Sequence, residues 1–109
     1  MSTILHIDDN NFESEVVNSD KPVLVDFSAV WCGPCQRLTP ILEQFASRNE
    51  GRVKVCKLDI DESSSTASLY AIRSVPTMML FVNGKRFETK VGLSSVAALE
   101  TMLTTALNK

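Results

Sequence analysis

Two kinds of hydrophobic pattern alternate along this chain. Residues 23–28 and 77–82 are almost entirely apolar, which is typical of strands buried on both faces of a sheet. Between them lie apolar residues at the spacing of one helical face: Leu38, Ile41, Leu42, Phe45 and Ala46. The pattern therefore predicts buried strands that are covered by amphipathic helices.

The predicted elements alternate between strand and helix and then end in a hairpin. We predict strands over residues 3–7, 23–28, 53–59, 77–82 and 85–91. We predict helices over residues 10–18, 32–49 and 65–70, and a last helix that begins after Ser94 or Ser95. Asn83-Gly84 is a strong signal for a tight turn, so the last two strands should pair antiparallel. This order predicts an α/β fold over residues 1–109, a single domain with a central mixed β-sheet flanked by helices on both faces.

Three features of the helices carry further predictions. The first helix should direct Phe12, Val16 and Val17 into the core. The last helix should bury an inner stripe with Met102 beside it: Val96, Leu99, Leu103 and Leu107. Pro40 falls inside the long helix, where a proline removes a hydrogen bond and should produce a kink.

Composition and charge narrow the function classes. The 109 residues are 44% hydrophobic and 22% charged, with a formal net charge of −2. The sequence has no block of basic residues, so neither nucleic acid nor an anionic membrane surface is an expected partner. No apolar run approaches the roughly 18 residues of a membrane span, and the N-terminus lacks the pattern of a secretory signal. We expect a cytoplasmic, monomeric protein.

The three cysteines are an odd number, which argues against a secreted scaffold held by disulfides. Cys56 lies in phase with Leu58 and Ile60 and should be a small core residue. A regulatory or metal-binding role for this thiol is the weaker alternative. A zinc site would need four converging ligands, and His6, the sole histidine, is expected on the surface. No metal site is therefore predicted.

The segment Trp31-Cys32-Gly33-Pro34-Cys35 places two cysteines where a buried strand ends and a helix begins. The N-terminal end of a helix has unpaired N–H groups and a partial positive charge, which favour a thiolate at Cys32. A thiolate is the nucleophile of disulfide exchange. A disulfide between the two cysteines would stabilise the fold little, because closing a loop of four residues adds only about 2 kcal/mol to the free energy of unfolding. A cycling dithiol is favoured over a structural clip or half of a zinc site.

Asp26 interrupts a run that should be covered on both faces. A carboxylate there is costly unless it is paired or its pKa rises. By itself it is compatible with an edge-exposed or hydrogen-bonded residue, but six residues before Cys32 a buried proton acceptor is favoured. Lys57 should face the same side of the next strand as Val53 and Val55, and from there its side chain could reach Asp26. Taken alone, Lys57 is equally compatible with a surface lysine.

Pro76 lies directly before the apolar run 77–82, and proline is tolerated at the start of a strand. Only a minority of X-Pro bonds are cis. Propensity alone therefore predicts a trans bond between Val75 and Pro76.

The chain resembles the thioredoxin family over nearly its whole length. The most specific matches are Trp31-Cys32-Gly33-Pro34-Cys35 and Val75-Pro76-Thr77. Further matching segments are Val25-Asp26-Phe27, Pro40-Ile41-Leu42, Lys57-Leu58-Asp59-Ile60-Asp61, Tyr70-Ala71-Ile72-Arg73, Leu80-Phe81, Asn83-Gly84 and Lys90-Val91-Gly92. The resemblance implies a thioredoxin-like fold.

The resemblance also implies a role for each matching residue. Cys32 is expected to be the exposed attacking thiolate and Cys35 the resolving thiol, the two forming the redox-active disulfide. Asp26 is expected to take the proton from Cys35, with Lys57 as its neighbour, and the bond before Pro76 is expected to be cis. The apolar surface that binds substrate is expected to comprise Trp31, Gly33, Pro34, Val75, Pro76 and Gly92.

The activity implied is that of a general protein-disulfide reductase that works through a mixed disulfide. Disulfide-containing proteins are the implied substrates, an NADPH-linked thioredoxin reductase is the implied partner, and no bound cofactor is needed. An oxidase or isomerase with the same chemistry and a binding module with an incidental dithiol are the alternatives. Departures from the family pattern bear on partner choice: Ser28, Val30, Ser74 and Leu93.

Overall fold

A computed structural model describes residues 4–108 and contains a five-stranded sheet with helices on both faces. The strands are β1 (Ile4–Ile7), β2 (Val23–Ser28), β3 (Lys54–Asp59), β4 (Thr77–Val82) and β5 (Lys85–Val91). The helices are α1 (Gly33–Arg48), α2 (Ser64–Leu69) and α3 (Val96–Leu107). In space the strands follow the order β1-β3-β2-β4-β5. Strands β1, β3 and β2 run parallel, whereas β4 and β5 are added antiparallel, which confirms the predicted mixed sheet.

Strand β2 lies at the centre of the sheet, and its alternate residues face different layers. Leu24 packs in a cluster with α1 and α3, which contribute Leu38, Leu42, Phe45, Leu99 and Leu103. Val25 and Phe27 pack on the opposite face with Phe12 and Val16. All six residues of β2 are buried, as the apolar run predicted. A central strand that is buried on both faces fixes the position of the turn and the helix α1 that follow it.

The predicted bounds of the long helix and the neighbouring strands hold to within one or two residues. Helix α1 begins at Gly33, with Cys32 as its N-cap residue, and ends at Arg48. Strand β3 begins at Lys54, one residue later than predicted. Residue 3 of the predicted first strand lies outside the described residues. Pro40 lies inside α1, and the kink expected there stays a prediction.

The helix predicted over residues 10–18 is wrong in extent. Only Glu13–Val17 is helical, in a single wide turn where the N–H of Asn18 donates to the carbonyl of Glu13 at 3.0 Å. Asp8 and Asn11 exchange side-chain to backbone hydrogen bonds of 2.7 and 3.2 Å, and such bonds compete with helix formation. Phe12 and Val16 are buried as predicted, whereas Val17 is only half-buried.

Helix α3 begins at Val96, where the hydroxyl of Ser95 accepts the N–H of Ala98 at 3.0 Å. The buried stripe consists of Leu99, Met102, Leu103 and Ala106. The prediction for Leu107 is wrong, because this side chain is 44% exposed and Ala106 takes the inner position in the last turn. Val96 is half-buried and packs against the core from the first turn.

The turn between β4 and β5 is the tight hairpin that Asn83-Gly84 predicted. Asn83 has φ +55° and Gly84 has φ +79°, so both residues adopt the left-handed conformation of a type I′ turn. A Cβ added at Gly84 would lie 2.6 Å from the carbonyl oxygen of Val17. The hairpin therefore packs its backbone directly against the wide turn of residues 13–17.

We predict that Gly84→Ala destabilises the fold more than Gly51→Ala. Gly51 also has a positive φ, +85°, but a Cβ added there would meet nothing within 4 Å. Both variants should lose about 1–2 kcal/mol through left-handed strain. Gly84→Ala should lose a further 1–3 kcal/mol, roughly the cost of overpacking, because the Val17 carbonyl is in the way. Urea unfolding of both variants measures the difference, and equal losses would contradict the proposed close contact.

Candidate active site

Cys32 and Cys35 are joined by a disulfide at the start of α1, directly after the turn that leaves β2. Ala29, Ile60 and Val75 pack against the pair. Cys32 retains 5% of its surface and Cys35 retains 1%. The expected exposure of Cys32 is therefore wrong in extent, because these neighbours cover all but an edge of it. The asymmetry between the two cysteines is small and leaves Cys32 the more accessible.

The first turn of α1 directs a backbone donor at the sulfur of Cys32. The N–H of Cys35 donates to Cys32 Sγ at 3.1 Å. Pro34 lies between them at a position where a helix tolerates proline, because the missing N–H would have no partner there. A donor aimed at sulfur and the positive end of the helix both favour a negative charge on Cys32. The site is therefore built to stabilise a thiolate.

A second backbone segment lies against the cysteine pair. The Val75–Pro76 bond is cis, so the trans prediction from propensity is wrong and the isomer implied by the family resemblance is confirmed. The carbonyl oxygen of Val75 lies 3.6 Å from Cys32 Sγ. The carbonyl of Pro76 accepts the N–H of Gly92 at 2.8 Å, which ties the end of β5 to this segment. The general preference of X-Pro bonds for the trans isomer is a local property, so it carries no information about these contacts with Cys32 and Gly92.

Trp31 lies on the outer side of the pair and is 66% exposed. Its indole N–H donates to the carboxylate of Asp61 at 2.8 Å. Sequence reasoning missed Asp61 as part of the site, although a tryptophan N–H commonly needs a partner. Of the other residues expected to bind substrate, Gly33 and Pro34 are exposed. Val75 and Gly92 are half-buried and Pro76 is buried.

Asp26 is fully buried, and neither of its carboxylate oxygens has a hydrogen-bond partner among the described residues. The edge-exposed and hydrogen-bonded alternatives are therefore wrong. Burial raises the pKa of Asp26 from 3.8 to about 7, and the charge of Lys57 partly opposes this rise. A carboxyl group with this pKa exchanges a proton readily at neutral pH.

Lys57 is half-buried and lies beside Asp26 in the register of β2 and β3. Its ammonium group donates to the hydroxyl of Thr39 at 3.0 Å rather than to Asp26. Thr39 in turn donates to the carbonyl of Cys35 at 3.3 Å. Thr39 is a further site residue that sequence reasoning missed, although its place one turn after Cys35 on α1 was a usable signal.

A cavity of about 340 Å³ lies between the carboxyl ends of the parallel strands and the first turns of α1. Cys35 and Lys57 line it, together with His6, Ser28, Ala29, Val30, Gln36 and Asp59. His6, Lys57 and Asp26 are register neighbours across β1, β3 and β2, so their side chains share the face that α1 covers. His6 is exposed, as predicted.

Cys56 is a free cysteine with none of its surface exposed. It belongs to the core cluster on the sheet face opposite α1, which confirms the predicted core position. Burial raises the pKa of this thiol to about 11. Within residues 4–108, no group of three or more His, Cys, Asp or Glu side chains is arranged to hold a metal ion. The helices of this part of the chain are all too short or too polar to cross a membrane.

Comparison with known proteins agrees with this geometry. Residues 3–105 match the family model described as Thioredoxin. The chain is 53% identical to a thioredoxin of Rickettsia conorii over 91 residues, which cover 84% of this chain and 87% of that protein. It is 49% identical to a thioredoxin of Acidithiobacillus ferridurans over 104 residues, with coverages of 95% and 96%. The fold and the cysteine pair define a thiol–disulfide oxidoreductase. The chain belongs to the thioredoxin family.

We predict that Asp26→Asn stabilises the fold at high pH and leaves it unchanged in acid. In the native state the carboxyl has a pKa of about 7, against an ordinary value of 3.8. The native state therefore binds more protons than the unfolded state between these values, and stability falls as the pH rises through them. Three pKa units correspond to about 4 kcal/mol at pH 8. Denaturant unfolding at pH 4 and pH 8 measures the gain, and an equal gain at both pH values would contradict this origin.

Proposed function

We propose that the protein is a general protein-disulfide reductase in which Cys32 attacks the target and Cys35 resolves the mixed disulfide. The observation that carries this proposal is the Cys35 N–H aimed at Cys32 Sγ at the N-terminus of α1. Of the two cysteines, Cys32 retains more exposed surface, 5% against 1%, and its sulfur receives a backbone donor. Both features favour the thiolate, which is the attacking species in disulfide exchange.

In the first step the Cys32 thiolate attacks one sulfur of a target disulfide. The target S–S bond breaks, a new S–S bond joins Cys32 to the target, and the second target sulfur leaves as a thiolate that takes a proton from solvent. We propose that Val75 presents its backbone to an extended target segment, and the distance of 3.6 Å from its carbonyl oxygen to Cys32 Sγ supports this role. The proposed surface around Cys32 comprises Trp31, Gly33, Pro34, Val75 and Gly92, together with Pro76, which is itself buried.

In the second step Cys35 attacks Cys32 Sγ, so the Cys32–Cys35 disulfide forms, the bond between Cys32 and the target breaks, and the target sulfur leaves as a thiolate that takes a proton from solvent. Cys35 must first lose its proton, and Asp26 is the group proposed to accept it. A buried carboxylate with a pKa of about 7 has the basicity that a proton acceptor needs at neutral pH. Lys57 favours the ionised form of Asp26 and so keeps it ready for the proton. The Cys32–Cys35 disulfide of the structure is the product of this step.

The oxidised protein needs two electrons and two protons before it can act again. We propose that an NADPH-linked thioredoxin reductase supplies them by thiol exchange at the same cysteine pair, so that the protein itself needs no bound cofactor. We also propose a cytoplasmic, monomeric protein that binds neither nucleic acid nor membranes. The buried free thiol of Cys56 supports a reducing compartment, where unpaired cysteines persist.

We predict that the two single cysteine variants fail in different ways. With a coupled reductase and insulin as the substrate, Cys32→Ser should show no turnover, because the attacking sulfur is gone. Cys35→Ser should also stop turning over, but it should accumulate a covalent mixed disulfide with insulin. Non-reducing electrophoresis detects this adduct. Trapping by Cys32→Ser instead would reverse the assigned order of attack.

The double variant Cys32→Ser, Cys35→Ser is the control that separates catalysis from binding. Loss of every cellular role in this variant supports the reductase. A role that survives in full would favour the binding-module alternative, since a surface without sulfur chemistry would then be sufficient.

We predict that Asp26→Asn slows the resolving step by about a hundredfold, the low end of the range for loss of a proton acceptor. The formation of the mixed disulfide at Cys32 should be affected less. Rapid-quench kinetics with a single disulfide target separate the two rates across pH 6–8. Equal resolution rates in the wild type and the variant would reject Asp26 as the acceptor.

A further inference from the structure

Several large hydrophobic side chains remain exposed, and two of them, Val30 and Trp31, directly precede Cys32 in the sequence. In the part of the chain that the structure describes, the exposed ones are Leu5, Val30, Trp31, Leu69, Val91, Leu93 and Leu107. Val30 is 75% exposed, more than any other member of this set, and it lies two residues before Cys32. Val30 is not among the residues that the family resemblance assigns to substrate binding. Exposed apolar side chains that gather beside a reactive group indicate an interaction site.

The backbone that carries Val30 is held in place. The side-chain amide of Gln36, on the first turns of α1, donates to the carbonyl of Val30 at 3.2 Å. The next residue, Trp31, is anchored by the 2.8 Å hydrogen bond from its indole to Asp61. We call residues 30–31 the Val30 ledge. Because the ledge is fixed before a partner arrives, its burial costs little conformational entropy.

We propose that Val30 is a specificity-determining residue that binds a bulky apolar side chain next to the target's reactive cysteine. This inference rests on the proposed function of Cys32 as the attacking thiolate. A target joined to Cys32 in a mixed disulfide is bonded to a sulfur only two residues along the chain from Val30, so we assign the target itself as the occupant of the ledge. The ledge adds a contact from the turn between β2 and α1, whereas Val75 contacts the cysteine pair from the segment before β4.

The ledge discriminates against polar target residues for a simple reason. The side chain of Val30 consists of carbon and hydrogen only and is 75% exposed. A polar side chain laid on it would lose water against atoms that offer no hydrogen bond. An apolar side chain there would remove both its own surface and that of Val30 from water. The substrate class favoured is a disulfide flanked by residues such as leucine.

The test uses two disulfide-linked peptides that differ only in the residue after cysteine, leucine in one and serine in the other. Pre-reduced protein is mixed with each peptide, and the second-order rate constant of reduction is measured. The wild type should reduce the leucine peptide about tenfold faster. Val30→Thr, which keeps the shape of the side chain and adds a hydroxyl, should lower this preference by about threefold to tenfold.

Leu69→Thr is the matched control, because Leu69 is 74% exposed but lies on α2 and not in the ledge. It should keep the full preference for leucine. Hydroxyethyl disulfide, which has no flanking residues, provides the reference rate for each variant. If the wild type reduces both peptides equally, or Val30→Thr keeps the full preference while hydroxyethyl disulfide is reduced, the role of Val30 is wrong and the reductase stands. If the wild type reduces none of the three substrates, the proposed function itself fails.

Discussion

The hydrogen bond from the Cys35 amide to the sulfur of Cys32 is the interaction on which the chemistry of this protein depends. It forms only because Cys32 occupies the N-cap of α1, where the first amides of a helix point outward without partners. That position follows from β2, which is buried on both faces at the centre of the sheet and delivers the chain to the helix. A strand whose side chains are all buried tolerates little displacement, so the core holds the reactive sulfur in place.

The same strand carries a feature that costs the fold stability. Asp26 occupies a position where an apolar residue would pack without penalty, and its carboxylate has no hydrogen-bond partner among the described residues. Lys57 is its register neighbour but gives its hydrogen bond to Thr39, so the carboxylate experiences positive charge without being neutralised by direct contact. This balance between burial and the charge of Lys57 keeps the pKa of Asp26 at about 7. The fold loses stability at this one position, and the resulting acid–base behaviour suits the role of proton acceptor that we propose for Asp26.

The parts of the fold with strong local signals could be predicted from sequence. The apolar runs of β2 and β4 and the Asn83-Gly84 turn gave the bounds of three strands, because burial on both faces and a two-residue turn each leave a local pattern. The cysteine pair and Asp26 were found for the same reason. Tertiary contacts decided the rest. The hydrogen bonds from Lys57 to Thr39 and from Trp31 to Asp61 join segments distant in sequence. Local propensity alone gave neither the cis bond at Pro76 nor the exposure of Leu107.

The position of Cys56 determines which disulfides the folded chain can form. The sheet separates this cysteine from α1, since it packs in the cluster on the far face with Val25 and Phe27. Helix α1 and its cysteines lie on the near face, so a full layer of backbone stands between the third sulfur and the other two. In the folded protein this separation, and not a slow reaction, prevents disulfides between Cys56 and either Cys32 or Cys35. The folded chain has three cysteines but can form only one intramolecular disulfide, Cys32–Cys35.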